Sequence, residues 1–323
     1  MKIVKIPQIN GLNKTDGCQE APNEILKSLS EVYSNSRGKS VIFHNQYKKD
    51  SINQRFMSFP PAASYASPIL QSLIPPSSDI YNLEHQKMLT HSASKDYVSN
   101  SNIKISDFCI SKNLIEDNDK IYRYAFDSFG NEKVCFLGGD HSISYPISRS
   151  FFDWSQHNGG EPSLIVFDSH PDLMEPVDGK IPTHEEWLRA LIEDGFDPKN
   201  ILLVGIRNPD IAELNYIKEK GIRYFSVTDL FLDFRNKTDA ITEFAYRKDL
   251  YVSFDIDVLD PAYAPGTGYC EPGGLSSKEF LYIVSRIAKI PTLKAFDIVE
   301  VNPNRDINNM TCKLAAKVLA EFF

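Results

Sequence analysis

The stretch LIVFDSHPD, residues 164–172, joins a run of apolar residues to a group of ionisable ones. Its first part, Leu164–Phe167, is apolar without alternation, which is typical of a strand buried on both faces. Asp168, His170 and Asp172 follow at alternate positions, so their side chains can face one way if the segment is extended. In an open parallel sheet, functional groups lie beyond the carboxyl ends of the strands. The stretch therefore predicts a buried parallel strand that delivers ionisable groups to one edge of a sheet.

Similar apolar runs recur along the chain and alternate with helical patterns. The other predicted strands are Val134–Leu137, Ile201–Val204, Tyr224–Val227, Tyr251–Phe254 and Lys294–Val299. The predicted helices are Glu20–Tyr33, Glu185–Glu193, Pro209–Lys220, Ser276–Ile290 and Thr311–Phe323. This alternation predicts an α/β fold with a parallel sheet and helices on both faces. Residues 45–100 are rich in Ser, Asn, Tyr and Pro, and we interpret them as a loop-rich insertion in a single domain spanning residues 1–323.

The composition argues against several classes of protein. The 323 residues carry a formal net charge of −8 and give a pI of about 5.4, whereas a nucleic-acid-binding protein normally has a basic face. No apolar run approaches the ~18 residues of a membrane helix, and the N-terminal residues lack the apolar segment of a secretory signal. The five cysteines are unevenly spaced and form no CxxC motif. We therefore expect no nucleic-acid or membrane partner, free thiols and a cytoplasmic location.

Three more predicted strands end in ionisable residues. The run ending at residue 137 leads into GGDHS, which contains His141. The run ending at residue 254 leads into Asp255 and Asp257, and the run ending at residue 299 leads into Glu300. Because the carboxyl ends of parallel strands share one edge, these groups should lie near the DSHPD segment. Clustered carboxylates repel one another, and burying each one unpaired costs several kcal/mol, so the pattern predicts bound cations.

The donor set indicates which cations these are. Carboxylate oxygens with imidazole suit Mn²⁺, with Fe²⁺, Co²⁺ and Zn²⁺ as alternatives, and the absence of thiolate argues against structural zinc. Six side chains are too many for one catalytic metal that keeps an open position. They fit two metals about 3.5–4 Å apart that share bridging carboxylates. The predicted ligands are His141, Asp168, His170, Asp172, Asp255 and Asp257.

The motifs GGDHS, DSHPD and SFDIDVLDP resemble the three signature blocks of the ureohydrolases, the family of arginase, agmatinase and formimidoylglutamase. The segments PGTGYCEPGGLS and DIVEVNP are also similar to that family. The resemblance is densest over residues 134–320 and weaker from Gly11 to Pro22. It implies a single three-layer α/β/α domain with a mostly parallel sheet of about eight strands. It also implies two Mn²⁺ ions per chain, a small guanidino substrate, and a homotrimer or homohexamer.

The resemblance further implies roles for individual residues. The six predicted ligands would divide between the two ions, with Asp168 and Asp255 bridging them, and Asp172 would count among the catalytic residues. Glu300 matches the family carboxylate that binds the guanidinium group. His184 matches the position of the histidine that shuttles a proton, and the alternative is a surface histidine at a helix N-terminus. A carboxylate holds a planar cation by paired charge-assisted hydrogen bonds, and histidine titrates close to neutral pH.

Substrate choice is predicted from departures from the family pattern. Met174 and Lys180 stand near positions where arginase-like sequences have Asn and Ser to hold an α-carboxylate. Asp210, in GIRNPD, matches the acidic residue of the arginase segment that holds an α-amino group, and a helix N-cap is its alternative interpretation. The proton-shuttling histidine is followed by Glu185, where several relatives have Gly, and Cys270 replaces a common Pro. These departures favour agmatine, with arginase, guanidino-acid hydrolase and formimidoylglutamase activities as alternatives.

Two other classes of function also fit part of the sequence. A single-zinc amide deacetylase of the same fold shares the Asp-x-His motif, but Asp172 and Asp257 favour two metals. A non-catalytic binding protein would not need the intact set of ligands together with Glu300. Metal stoichiometry distinguishes the first alternative from a binuclear enzyme.

Overall fold

The computed structural model describes residues 1–11, 13–32, 103–111, 113–176 and 180–323. The predicted insertion at about 45–100 lies outside the described residues. The strands of the described part are β1 (Lys2–Ile6), β2 (Lys104–Asp107), β3 (Val134–Gly138), β4 (Pro162–Phe167), β5 (Ile201–Ile206), β6 (Arg223–Ser226), β7 (Asp249–Asp255) and β8 (Leu293–Val299). The α-helices are α1 (Ala21–Leu29), α2 (Leu114–Ser128), α3 (Ser144–His157), α4 (Trp187–Glu193), α5 (Ile211–Lys220), α6 (Val227–Leu232), α7 (Phe234–Glu243), α8 (Ser277–Ile287) and α9 (Met310–Ala320).

The eight strands form one sheet in the order β2-β1-β3-β8-β7-β4-β5-β6. Every recorded pairing in this sheet is parallel. In the centre of the sheet, Phe167 lies beside Phe254 on one side and Val204 on the other. The predicted α/β class with a parallel sheet of about eight strands is confirmed. The order also makes β3, β8, β7 and β4 neighbours, and these four strands precede the predicted site residues.

Helices pack on both faces because alternate strand residues point to opposite sides. On one face, Phe136, Val166 and Tyr251 join a buried cluster with Phe151 of α3 and Leu191 of α4. On the other face, the rings of Phe167 and Phe254 pack against Phe280 of α8, with ring centres 5.8 Å apart in both pairs. The strands are therefore apolar on both sides, as the continuous apolar runs predict.

Local signals set several helix ends. Ser276 accepts a hydrogen bond from the backbone N–H of Glu279, and the Glu279 carboxylate accepts one from the backbone N–H of Ser276, which is a capping box at the start of α8. Gly221 ends α5 in the left-handed region, with φ of 68°. The strand predicted to end at Val227 instead stops at Ser226, because the Ser226 hydroxyl caps α6. The helix predicted from Glu185 begins later, at Trp187.

The sequence patterns missed the strands β1 and β2 and the helices α2, α3, α6 and α7. Strand β2 has the sequence KISD and is mostly exposed, so it has no apolar run to detect. Strand β1 is short and alternates with lysines, yet it is buried between β2 and β3. Among the described residues, no helix is long and apolar enough to span a membrane.

Candidate active site

The carboxyl ends of four adjacent strands supply the polar residues of the site. His141 lies in a short 3-10 turn after β3, and Asp168 directly follows β4. Asp255 ends β7, and Glu300 follows β8. All four side chains are buried, with 3% or less of each residue exposed. The parallel sheet therefore gathers groups that are up to 159 positions apart in sequence, as the His141–Glu300 contact shows.

Three carboxylates surround one nitrogen of His141. Its Nδ1 atom lies 3.1 Å from Asp168 Oδ2, 2.9 Å from Asp172 Oδ2 and 3.2 Å from Asp255 Oδ2. Burial and the nearby charge of Asp168 together raise the pKa of Asp172 to about 7. Burial and the charge of Asp257 raise the pKa of Asp255 well above its usual range. These carboxylates therefore resist ionising together unless a positive charge lies between them.

The other nitrogen of His141 is held by a buried hydrogen-bond chain. His141 Nε2 lies 2.8 Å from Ser253 Oγ, and the Ser253 hydroxyl donates to Asp297 at 2.7 Å. Asp297 also accepts hydrogen bonds from Ser144 and Tyr251, both at 2.7 Å. Because the Ser253 proton goes to Asp297, Ser253 Oγ accepts the N–H of His141 Nε2. The lone pair of His141 then lies on Nδ1 and faces the carboxylates, which is the orientation of a metal-ligating histidine.

A second histidine and carboxylate group adjoins the first. His170 Nδ1 lies 3.1 Å from Asp257 Oδ2 and 3.5 Å from Asp168 Oδ1. Asp168 thus offers Oδ2 to the His141 group and Oδ1 to the His170 group. The other oxygen of Asp257 accepts the Ser169 N–H at 3.0 Å, so Oδ2 is the atom that faces His170. A shared carboxylate between two groups is the arrangement that two bridged cations require.

The donor atoms fit bound cations. His141 Nδ1 and Asp168 Oδ2 are buried and have no hydrogen-bond partner in the described part of the chain. Potential ligand atoms of His141, Asp168 and Asp172 lie within 4.8 Å of one another, and those of Asp168, His170 and Asp257 do so as well. Carboxylate oxygens with imidazole nitrogens are the ligands of hard and borderline divalent ions. Orphaned buried polar atoms of this kind are costly without a partner, and a cation would supply one.

The backbone is unusual at two of these residues. Asp172 and Glu300 have φ values of 54° and 61°, in the left-handed region that non-glycine residues rarely adopt. The Trp187 indole N–H donates to Asp172 Oδ2 at 2.7 Å, which fixes the direction of that carboxylate. Such conformations cost about 1–3 kcal/mol each and cluster at functional sites.

A third group of buried polar residues lies beside the two histidine–carboxylate groups. Glu300 Oε1 accepts the backbone N–H of His141 at 2.9 Å, and the Cys18 thiol lies 3.9 Å from Oε2. Potential ligand atoms of Asp140, His184 and Glu300 lie within 4.8 Å of one another. His184 is buried, yet neither ring nitrogen has a hydrogen-bond partner among the residues that the structure describes. Burial lowers the pKa of His184. The structure therefore brings the two residues predicted to bind and protonate the substrate together.

Sequence reasoning assigned no role to three residues that support this arrangement. Asp140 is buried and accepts the backbone N–H groups of Asn10 at 2.7 Å and Gly11 at 2.6 Å. The Asn10 amide in turn donates to the carbonyls of residues 181 and 182, just before His184. Arg207 donates to the carbonyls of Asp257 at 2.6 Å and residue 271 at 2.7 Å. Asp140 and Arg207 lie inside motifs already noted, but no sequence signal points to Asn10.

A cavity of about 350 Å³ opens from the second histidine–carboxylate group. His170, Asp172 and His184 line its inner part, and its wall includes Glu185 and Asp210. Asp210 also caps α5, because its Oδ1 accepts the N–H of residue 212 at 2.7 Å. Asp210 therefore caps a helix and lines the cavity, and its contact with a substrate stays a prediction.

The other residues considered for substrate contact separate into two groups. Met174 lines the cavity, together with Tyr269. Lys180 and Cys270 are not among the lining residues. Cys270 is exposed, and its thiol lies 3.5 Å from the Pro265 carbonyl. This position outside the cavity lining gives Cys270 no contact with the candidate site.

Comparisons with known proteins agree with this geometry. The chain is 36% identical over 186 residues to "Arginase 1, mitochondrial" of Oryza sativa subsp. indica, covering 57% of this chain and 53% of that protein. It is 34% identical over 188 residues to "Agmatinase" of Bacillus subtilis (strain 168), covering 57% of this chain and 61% of that protein. The chain thus spans about half the length of the rice relative.

Solved structures share the fold at low sequence identity. Formimidoylglutamase from Bacillus subtilis has a TM-score of 0.71 at 22% identity, covering 99% of this chain and 84% of that one. Arginase from Bacillus caldovelox has a TM-score of 0.68 at 19% identity, covering 100% of this chain and 97% of that one. The family model described as "Arginase family" matches residues 1–323. With its whole length matched by that model, the chain belongs to the arginase family.

Proposed function

We propose that this protein is a binuclear metal-dependent hydrolase that converts agmatine to putrescine and urea. One observation carries the proposal: Asp168 offers one oxygen to each of two histidine–carboxylate groups, beside a buried Glu300 and His184. His141, Asp172 and Asp255 would complete one metal site with Asp168. His170 and Asp257 would complete the other, with Asp168 and Asp255 shared between the two.

Mn²⁺ is the metal that suits these ligands best. The set combines carboxylates with two imidazoles and lacks a thiolate, and softer metals select thiolates. The Cys18 thiol, which lies near Glu300, is kept protonated because burial raises its pKa above the ordinary range. When bound, two such ions lower the pKa of a water molecule and so supply hydroxide near neutral pH.

The chain's own residues would bind and orient the guanidinium group. Burial and the charge of Asp140 raise the pKa of Glu300 well above its usual range. A cationic guanidinium would relieve this cost, because Glu300 could then be ionised and paired with it. The His141 N–H holds Glu300 Oε1 at 2.9 Å, so the direction of the carboxylate is fixed before substrate arrives. Such orientation removes part of the entropic barrier to the reaction.

His184 would move the proton. Its pKa is lowered by burial, so the ring is neutral at neutral pH and has a free nitrogen to accept a proton. The same low pKa makes the ring give that proton up readily to the departing amine. Tyr269 packs against the ring, with ring centres 5.5 Å apart, and restricts its movement.

Agmatine is preferred over arginine for two reasons. The segments around Met174 and Lys180 lack the residues that would hold an α-carboxylate in arginase-like sequences, and the PGTGYCEPGG block is more similar to agmatinases. Arginine remains the second candidate, because the arginase of rice is 36% identical over the matched segment. The trimeric or hexameric assembly expected from the resemblance stays a prediction.

The test is urea release by Mn²⁺-loaded protein from agmatine, arginine, 4-guanidinobutyrate and 3-guanidinopropionate, with formamide release from formimidoylglutamate. We expect agmatine to respond most strongly and to need two Mn²⁺ per chain by elemental analysis. Rapid turnover of arginine with none of agmatine would refute the choice of substrate. One tightly held zinc per chain, with no product from any guanidino compound, would favour the amide deacetylase instead.

A further inference from the structure

Glu185 follows His184, the proposed proton shuttle, at a position where several relatives have glycine, and it is one of the residues that line the cavity. The Glu185 side chain is 40% exposed, and its Oε1 lies 3.8 Å from His184 Nε2. That separation is beyond hydrogen-bond distance. A glycine at this position would carry no charge, so Glu185 adds a negative charge to the cavity wall.

Glu185 lines the cavity with a partly exposed side chain, whereas the next residue, Glu186, is buried. Glu186 is buried and accepts the Thr183 N–H at 3.0 Å together with the Thr183 hydroxyl. The backbone carbonyl of Glu185 accepts the Met174 N–H at 3.1 Å, which anchors the main chain at this point. Among the described residues, no hydrogen bond engages the Glu185 carboxylate, so it is free to bind a ligand.

The other carboxylates on the outer wall are already engaged. Both oxygens of Glu213 accept backbone N–H groups, from Leu173 at 2.9 Å and Asp210 at 2.8 Å. One oxygen of Asp210 caps α5. The cavity lining among the described residues includes no lysine or arginine. Lys14 Nζ lies 4.4 Å from the centre of the Tyr269 ring, which is part of the lining. The wall is therefore acidic, and Glu185 is its least engaged acid.

We propose that Glu185 is a specificity-determining residue that selects substrates with a positive charge at the end remote from the guanidinium. The proposal rests on the proposed function, because it places the guanidinium at Glu300. An ammonium group would form a charge-assisted hydrogen bond with the Glu185 carboxylate. A carboxylate tail would be repelled by the same group, and this repulsion gives discrimination as well as affinity.

The test compares three substrates of similar length that differ in the charge of the tail. Agmatine is cationic, butylguanidine is neutral and 4-guanidinobutyrate is anionic. For Glu185→Gln we expect kcat/KM to fall about tenfold for agmatine, to rise for 4-guanidinobutyrate and to stay unchanged for butylguanidine. Glu219→Gln, which removes an exposed charge outside the cavity lining, is the matched control and should leave all three values unchanged.

A binding measurement keeps the inference separate from catalysis. Calorimetry on Mn²⁺-loaded protein should show putrescine binding more tightly than 4-aminobutyrate, with the preference lost in Glu185→Gln. If no probe releases urea but this preference holds, the proposed function fails and the selection of cations stands. If the variant keeps the preference, Glu185 does not select the tail. An equal loss for all three substrates with a shifted pH profile would also overturn the inference, because Glu185 would then act through His184.

Discussion

Gly11 offers a direct test of the position of His184, because it leaves no room for a side chain. A Cβ atom at residue 11 would lie 2.5 Å from His184 Cε1 and closer still to Nδ1, with Thr15 Cγ2 at 2.7 Å on another side. The Gly11 N–H is held by buried Asp140, so the backbone cannot easily retreat. In Gly11→Ala the His184 ring must therefore move.

The size of the effect follows from the contact distance. Non-bonded carbon atoms need about 3.5 Å, and the nearest ring carbon would be at 2.5 Å, so the ring must shift by about 1 Å. A displacement of about 1 Å at a reacting group can cost a factor of ~100 in rate. We expect kcat for agmatine to fall by this order. Metal content should stay at two per chain, because neither Gly11 nor His184 is among the proposed ligands.

The assay is a double-mutant cycle of Gly11→Ala and His184→Ala, with kcat from urea release and metal content by elemental analysis. If Gly11→Ala acts through His184 alone, it has no further effect in the His184→Ala background. Thermal unfolding of each variant checks that the fold is retained. An unchanged kcat in Gly11→Ala, or a full loss that persists in the His184→Ala background, would refute the assignment of His184 as the proton shuttle.

Three further outcomes can be measured on the same protein. Asp168→Ala should reduce bound Mn²⁺ to well below one per chain, whereas Asp257→Ala should leave about one, because Asp168 contacts both His141 and His170 and Asp257 contacts His170. Equal losses in a metal titration would contradict a shared carboxylate. In native protein a thiol reagent should modify only the exposed Cys109 and Cys270, with all five thiols reacting after unfolding. Burial lowers the pKa of His184 in the folded protein, whereas the pKa in the unfolded chain is about 6.5. As the pH falls through that value, the unfolded chain binds more protons than the folded protein, so the free energy of unfolding decreases. The drop in Tm of metal-free protein from pH 7 to pH 5 should be smaller in His184→Gln, and an equal drop would count against a buried neutral ring.

Much of the fold follows from short-range patterns. Six strands were predicted because a parallel strand buried on both faces has a continuous apolar sequence, as Leu164–Phe167 does. Strands β1 and β2 were not predicted, because both contain lysine and β2 is largely exposed. Only their pairing in the sheet defines them. The apolar pattern also misplaced the end of β6, because the Ser226 side chain caps the next helix and so ends the strand.

The candidate site divides in the same way. The spacing in DSHPD and DID indicates grouped ligands because it depends on neighbours in sequence. The way in which Asp168 offers one oxygen to each of two histidines depends on side-chain geometry. The hydrogen-bond chain from His141 through Ser253 to Asp297 depends on the order of the strands in the sheet. No spacing rule carries that information.

The sequence by itself determined the fold class, the types of polar residue at the candidate site and the edge of the sheet at which they lie. These properties follow from apolar runs and from residues within a few positions of each other. Only the tertiary structure decided that Asn10 and Gly11 position the segment of His184, which is more than 170 residues away. Contacts between such distant residues arise because β1 lies beside β3 in the sheet, and no local pattern in the chain encodes that adjacency.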